Sequence, residues 1–287
     1  MVLLTLSSAA IADNDADGTS CRIRTATRAF AGAIRRGNPC DHRVWCETLL
    51  VNAVVVDLLE RPVYGFRQAD RVLGLGAGTT ARWVDGYTRG KRAYEPVVRE
   101  RPTGDELVTW GEFVEVRLLA EFRDAQVPMV RLRPTVERLR QELGVKYPLA
   151  HAETWLDVKA REVVRRAQED VRLKDQFTVV RNGQEQIGLS PQSQVFVDAV
   201  TWDGSAHGVA LSLCPLPDIP QVVCDPQRQV GEPIINGVMV DILTEQFRVG
   251  EPPDGIAELF GLSIDDVMTA VRYELVRAGR ETKPTAA

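Results

Sequence analysis

The chain has 287 residues, of which 44% are hydrophobic and 26% charged, with a formal net charge of −5 at pH 7. That length favours two or three domains over one, and the overall charge supplies no global attraction to nucleic acid. Five cysteines, an odd number, argue against a disulfide framework and for a reducing cytoplasm, and no apolar run approaches the roughly eighteen residues of a membrane span.

Residues 1–48 differ from the rest. They mix Asp, Asn, Pro and scattered Arg with three of the five cysteines and keep no sustained period. The opening MVLLTLSSAAIA ends on an Ala-x-Ala-like site at Ala10 to Ala12. It lacks a basic leader, and its apolar core of about five residues falls short of the ~7–15 of a secretory signal. We read 1–50 as an extension outside the core. Cys40, His42 and Cys46, with Cys21 as a fourth, match no standard zinc spacing, so no metal site is expected there.

A first module is read over 51–172. Arg67 to Leu73 has helical spacing with Ala69, Val72 and Leu73 inward, Gly74 to Gly78 is a turn, and Thr79 to Asp85 is a second short helix anchored by Trp83 and Val84. Gly86 to Pro96, centred on Gly90, then fits a small wing. The run Gly74-Leu75-Gly76-Ala77-Gly78 suggests a nucleotide loop, but such a loop needs a preceding strand and a βαβ unit, and the segment before it is helical in pattern. Leu73-Gly74, Thr79, Arg82, Trp83, Gly86 and Tyr87, with Tyr94-Glu95-Pro96 behind them, resemble the MerR-like helix-turn-helix over about 64–145. The resemblance implies DNA binding.

Residues 107–126 are predicted to form an amphipathic helix with Phe113, Val116, Leu119, Ala120 and Phe122 on its apolar face. A second helix runs from Val130 to Leu143, closed by Gly144, with Pro134 starting or kinking it. A third covers about Trp155 to Val171, its many charges suiting a solvated face. The period changes in 173–224. Phe177–Val180 and Gln186–Leu189 flank Asn182-Gly183, a strong hairpin signal. Val195 to Trp202 reads as another strand, turned by Asp203-Gly204 and returned by Val209 to Leu213. Pro215, Pro217 and Pro220 extend the chain. This stretch is expected to be a small β bridge of low helix content.

The last module is read over 225–278, with a tail at 279–287. Ile242, Leu243, Phe247 and Val249 give one helix, ended by Gly250-Glu251-Pro252-Pro253. Ile256, Ala257, Leu259 and Phe260 give a second, with Asp254 as its expected N-cap. Gly261-Leu262-Ser263 turns into a third carrying Val267, Met268, Val271 and Leu275, and Ser263 with Asp266 has capping-box spacing. The fold class expected for the whole is mainly α with a small β region (α+β): two helix-turn-helix modules joined by a hairpin-containing segment. Asp225-Pro226, the G-x-P-x-I of Gly231 to Ile235, Gly237, Gly250 and the L-S-x-x-D-V of Leu262 to Val267 resemble the small helix-turn-helix domain of VapB-like type II antitoxins. One element departs: Val238 and Met239 stand where that family has Gly-Thr-Arg after its I-x-G. The resemblance implies an antitoxin whose partner is a PIN-domain (VapC-like) ribonuclease toxin.

Charge divides the work between the modules. Tyr64–Thr103 holds eight Arg and Lys against four Asp and Glu, whereas Gly231–Ala287 holds five against ten. Duplex DNA is a dense polyanion, so the first module is the electrostatically credible DNA binder. Thr79, Thr80 and Arg82 are expected nearest the bases or phosphates, with Arg89, Lys91 and Arg92 on the backbone. Glu258, Asp265 and Asp266 are expected to serve protein contacts, acidic groups suiting a toxin with a basic RNA-binding surface. The expected partners are thus operator DNA, the toxin and a second copy, since palindromic sites mirror two-fold symmetry. Catalytic and cofactor roles are not expected: His42, His151 and His207 are far apart, Asp198 and Asp203 are a strand-and-turn pair, and no nucleophile elbow, H-E-x-x-H or Walker loop occurs. The competing reading is a stand-alone MerR-like regulator with an effector pocket in 176–224.

Overall fold

The computed structural model describes residues 58–170, 172, 177–180, 187–205 and 208–281, all within one compact unit spanning 47–287. The expected extension, its Cys-His group, His207 and the Asn182-Gly183 turn lie outside these residues. The class is α+β: among the described residues helices dominate, and the strands form five two-stranded antiparallel pairs.

Strand β1 (Pro62–Gly65) leads into α1 (Phe66–Val72), then α2 (Thr79–Val84), the hairpin β2 (Tyr87–Arg89) and β3 (Arg92–Tyr94), and β4 (Leu107–Thr109), which returns to pair with β1. Helix α3 (Trp110–Asp124) follows, started by a capping box between Thr109 and Glu112. It was expected to be amphipathic. Instead it is buried almost all round, and Glu112, Glu115 and Arg117 are as enclosed as Phe113 and Leu118. The reason is position: α3 is the axis on which α2, the helix Pro191–Ala199 and the turn at Pro148–Ala150 all pack. Each of these polar side chains finds an internal partner, Glu112 in Arg99, Glu115 in the Leu149 N–H at 3.1 Å, and Arg117 in Glu121 at 2.6 Å, while Glu115 Oε2 and Arg117 Nη2 are buried with none among the described residues.

Helix α4 (Met129–Leu143) begins at Met129, ends at Gly144 in the left-handed conformation and carries Pro134 in its second turn. Its partner stretch breaks at Asp157 into α5 (Ala152–Leu156) and α6 (Val158–Asp170). Trp155, Val164 and Ala167 point into the core, while Arg165 pairs with Glu162 and Glu169 on the surface. Strands β5 (Thr178–Val180) and β6 (Ile187–Leu189) pair as the hairpin signal requires.

The strand expected from Val195 to Trp202 is mostly a helix, α7 (Pro191–Ala199), and only β7 (Val200–Trp202) is extended, pairing with β8 (Ala210–Leu213). Ser190 caps α7 through the Ser193 N–H, and Pro191 occupies the first turn, where a missing N–H costs nothing. Phe177, Phe196, Val209 and Leu213 join the same buried cluster as Trp110 and Phe113. The described residues between 177 and 213 are therefore packed on the first module's core and do not form a bridge of low helix content.

A second core holds the C-terminal end: Leu216, Ile219 and Val222 pack with Ile235, Leu243, Ile256, Val267 and Tyr273. Strands β9 (Ile234–Ile235) and β10 (Val238–Met239) precede α8 (Val240–Arg248), α9 (Pro253–Phe260) and α10 (Ile264–Glu281). The turn falls at Gly261, and Ser263 and Asp266 form the expected reciprocal cap, Asp266 N–H to Ser263 Oγ and Ser263 N–H to Asp266, both 3.1 Å. The N-cap of α9 is Pro252, not the expected Asp254, which sits in the first turn.

The two cores meet directly. Tyr273 Oη donates to the Val72 carbonyl at 2.9 Å, Arg277 to the Arg71 carbonyl at 3.3 Å, and Tyr64 Oη to the Gly231 carbonyl. Gly74 allows the closest approach: its φ is +60°, and a Cβ there would stand 3.0 Å from Arg280 Cβ.

Candidate nucleic-acid interface

Helices α1 and α2 are locked by one carboxylate. Asp70, buried on α1, accepts the backbone N–H groups of Gly78 and Thr80 at 2.7 Å each and so supplies the cap that α2 lacks from its own N-terminus. Burial raises the Asp70 pKa, against the pull of those hydrogen bonds. The run Gly74 to Gly78 is thus an interhelical turn, as its helical predecessor implied. The carbonyl of Trp83, at the last turn of α2, accepts the N–H groups of Val97 and Val98 at 2.8 and 3.0 Å, tying the base of the hairpin to the helix. Gly86 makes the bend between them: its φ is +75°, and a Cβ would lie 2.6 Å from the Tyr94 carbonyl oxygen.

The structure divides the six residues expected at DNA. Thr79 and Thr80 are 1% and 0% exposed. Thr79 Oγ1 donates to the Gly76 carbonyl and accepts from Arg82 Nη2 at 3.2 Å. Neither threonine side chain reaches the surface, which corrects their expected base contacts; Thr79 instead holds Arg82. Arg82 stands at the partly open side of α2, and Arg89, Lys91 and Arg92 are exposed on the hairpin. Beneath them Tyr87 and Tyr94 stack with ring centroids 4.6 Å apart and planes 4° from parallel, and the Arg92 guanidinium lies 5.0 Å from the Tyr94 ring. The aromatic pair stiffens a short ribbon carrying three cations.

Arg99 has a central role that no sequence signal marks. Its guanidinium binds Glu112 at 2.7 Å, Asp85 at 3.0 Å, Thr103 Oγ1 at 2.6 Å, and the carbonyls of Asp105 and Leu107 at 2.8 and 2.7 Å. It fastens the 99–107 loop to the end of α2 and neutralises Asp85, an acidic residue that would otherwise repel phosphate. Burial works to raise the Asp85 pKa, but the hydrogen bonds from Thr103, Arg99 and Gly104 outweigh it and hold the carboxyl below its usual range. With Asp70 enclosed and Asp85 paired to Arg99, neither carboxylate is left free beside the hairpin cations.

In the acidic module Glu258 and Asp265 are exposed. Asp266 is engaged: hydrogen bonds from Ser263 lower its pKa, and its first duty is to cap α10. The contacts joining the modules fall on β1, α1 and the Leu73-Gly74 turn, leaving Arg82 and the hairpin cations clear. A cleft lies beside the hairpin base, lined by Val97, Arg99, Glu100, Arg133, Glu137 and Arg140. None of its walls comes from 176–224, where an effector pocket was envisaged, and Arg99 and Arg140 are committed to internal hydrogen bonds. Among the described residues, no helix is long and apolar enough to cross a membrane and no cluster of His, Cys, Asp and Glu is placed to hold a metal.

Comparison with known proteins adds to this geometry. The family described as "Putative DNA-binding HTH domain" matches residues 62–136, which contain α1, α2 and the hairpin. The first module is therefore a helix-turn-helix of DNA-binding type. The Mycobacterium tuberculosis protein described as "Uncharacterized protein Rv2308" is 35% identical over 222 residues, 76% of this chain and 92% of its own length. From the same organism, "Putative antitoxin VapB45" is 29% identical over 232 residues, 73% and 92% of the two chains. The X-ray crystal structure of Rv2018 from Mycobacterium tuberculosis superposes with a TM-score of 0.57 at 26% identity, covering 73% of this chain and 97% of that one.

Proposed function

This chain belongs to the family of the Mycobacterium tuberculosis protein Rv2308, and on that premise we propose that it is the antitoxin of a type II toxin-antitoxin pair, repressing its own operon through the first module and binding a PIN-domain ribonuclease toxin directly. The observation that carries the DNA half is the exposure of Arg89, Lys91 and Arg92 on the hairpin that follows α2, with Arg82 partly open on the helix and Asp85 at its end neutralised by Arg99. A short helix entering the major groove and a ribbon gripping phosphates use such an arrangement. The toxin half is supported by the relative named for an antitoxin and by the exposed Glu258 of the acidic module, which would complement a basic RNA-cleaving surface. The reading is non-enzymatic and places the protein in the cytoplasm, where the buried Cys214 and Cys224 stay as free thiols.

Arg82→Ala together with Arg92→Ala is expected to weaken binding to the DNA upstream of the gene in a gel-shift assay; unchanged affinity would remove the assignment. Co-expression with the neighbouring gene followed by pull-down tests the toxin half. Capture that is lost in Glu258→Lys supports it, and no capture by the wild-type chain rejects it.

A further inference from the structure

Helix α10 carries two apolar stripes. One faces the core: Val267, Ala270 and Tyr273 are essentially inaccessible. The other lies well round the helix and is open to water, with Ile264 52%, Met268 42% and Leu275 69% exposed and Val271 half-buried between them. Single exposed apolar residues are ordinary, but a row of them along one helix marks a contact surface. Their spacing is four, three and four residues, and Ala278 extends it by three. That alternation is the a/d seam of paired helices.

We propose that this seam is the homodimer interface, with α10 of a second copy lying antiparallel across it. The charges select this occupant. In the seam's register Asp265 and Arg272 take equivalent flanking positions, both exposed, and neither makes an ion pair or side-chain hydrogen bond among the described residues. Antiparallel pairing about a two-fold axis sets Ile264 against Leu275 of the second copy and Met268 against Val271. It then brings Asp265 beside Arg272 of the other chain, twice by symmetry. A helix from an unrelated partner would have no reason to match this self-complementary order. The flanks agree. Arg248 reaches Glu274 at 3.0 Å and so sets the end of α8, with the exposed Phe247 and Val249, beside the Leu275 end. The exposed Leu259 precedes the Ile264 end, and antiparallel pairing makes these two ends meet. The inference concerns association of this chain with itself and rests on neither the DNA nor the toxin reading.

Light scattering on the full purified chain tests it. The wild-type chain alone is expected to run at twice the chain mass. Met268→Glu with Leu275→Glu, each present twice in a symmetric interface, is expected to weaken the dimer about a hundredfold, with an unchanged circular dichroism spectrum. Arg272→Asp alone is expected to dissociate the dimer by charge repulsion, and adding Asp265→Arg to restore it; the charge swap tests the interface even where the glutamates disturb folding. A monomeric wild-type chain, a dimer that survives the glutamates, association only with the neighbouring gene's product, or a double swap that fails to rescue would each overturn the proposal.

Discussion

The molecule contains two helix-turn-helix units that share an outline and differ in what they show to solvent. In the unit of α1 and α2 the large apolar side chains of the two helices turn inward, Asp70 is buried and Asp85 paired, and the hairpin beside them exposes Arg89, Lys91 and Arg92. In the unit of α9 and α10 the core face is equally well filled, but apolar side chains also line the outside, beside acids. The helix-turn-helix is a packing solution. Whether it meets DNA or protein is settled by the second face, and here the two second faces have opposite character.

The largest expected effect comes from removing the group that makes the first face positive. Arg99→Ala leaves the enclosed Glu112 without its partner, and breaking a buried pair in this way costs about 3 kcal/mol or more. Denaturant unfolding should register that loss, and DNA affinity should fall further than stability alone explains because Asp85 is uncovered. A variant as stable as the parent would show that the loop does not depend on Arg99. The pH dependence tests the helix beneath. Burial raises Glu115 to about 8, so between its ordinary pKa and that value the folded state holds more protons than the unfolded one. Stability should therefore fall as pH rises from about 4.5 towards 8, and Glu115→Gln should flatten that slope in thermal melts. A slope unchanged by the substitution would place the titration elsewhere.

Two smaller effects sharpen the contrast between the units. Thr79→Val removes the tether on Arg82 and should cost about 1 kcal/mol with a few-fold loss of DNA affinity, while Thr79→Ser keeps both. Affinity retained in the valine variant would show that Arg82 needs no positioning. Asp266→Ala in the acidic unit removes a cap worth about 1 kcal/mol and should leave DNA binding untouched, measurable by calorimetry and gel shift side by side.

Much of this architecture was legible in the sequence where turn residues punctuate it. Gly74 to Gly78, Gly86 and Gly261 mark the turns, and Ser263 with Asp266 announces a cap that forms as spaced. Asn182-Gly183 announced the pairing of β5 with β6. The errors have a common cause: local pattern does not report what packs on it. Val195-Phe196-Val197 through Trp202 is rich in β-branched and aromatic residues like a strand, but Ser190 and Pro191 start a helix there and Phe196 fills the core. Helix α3 shows an apolar face in sequence because its buried charges pair with distant groups such as Arg99 and Leu149. Thr79 and Thr80 look like contacts from their place at the start of α2, and are drawn inward by the hydrogen bonds that close the turn. Periodicity also groups Val267, Met268, Val271 and Leu275 as one apolar set of α10, of which Val267 enters the core while Met268 and Leu275 stay exposed.

The central claim is that the basic unit, not the acidic one, engages DNA, and the salt dependence of binding measures it most directly. Affinity for the upstream DNA should be followed against salt concentration for the wild-type chain, for Arg82→Ala with Arg92→Ala, and for Arg248→Ala, an exposed cation of the acidic unit. Each lost phosphate contact lowers the salt slope by about 1, so the double variant should lose about 2 with a large drop in affinity, and Arg248→Ala should match the parent. A reduced slope in Arg248→Ala with an unchanged one in the double variant would contradict the account.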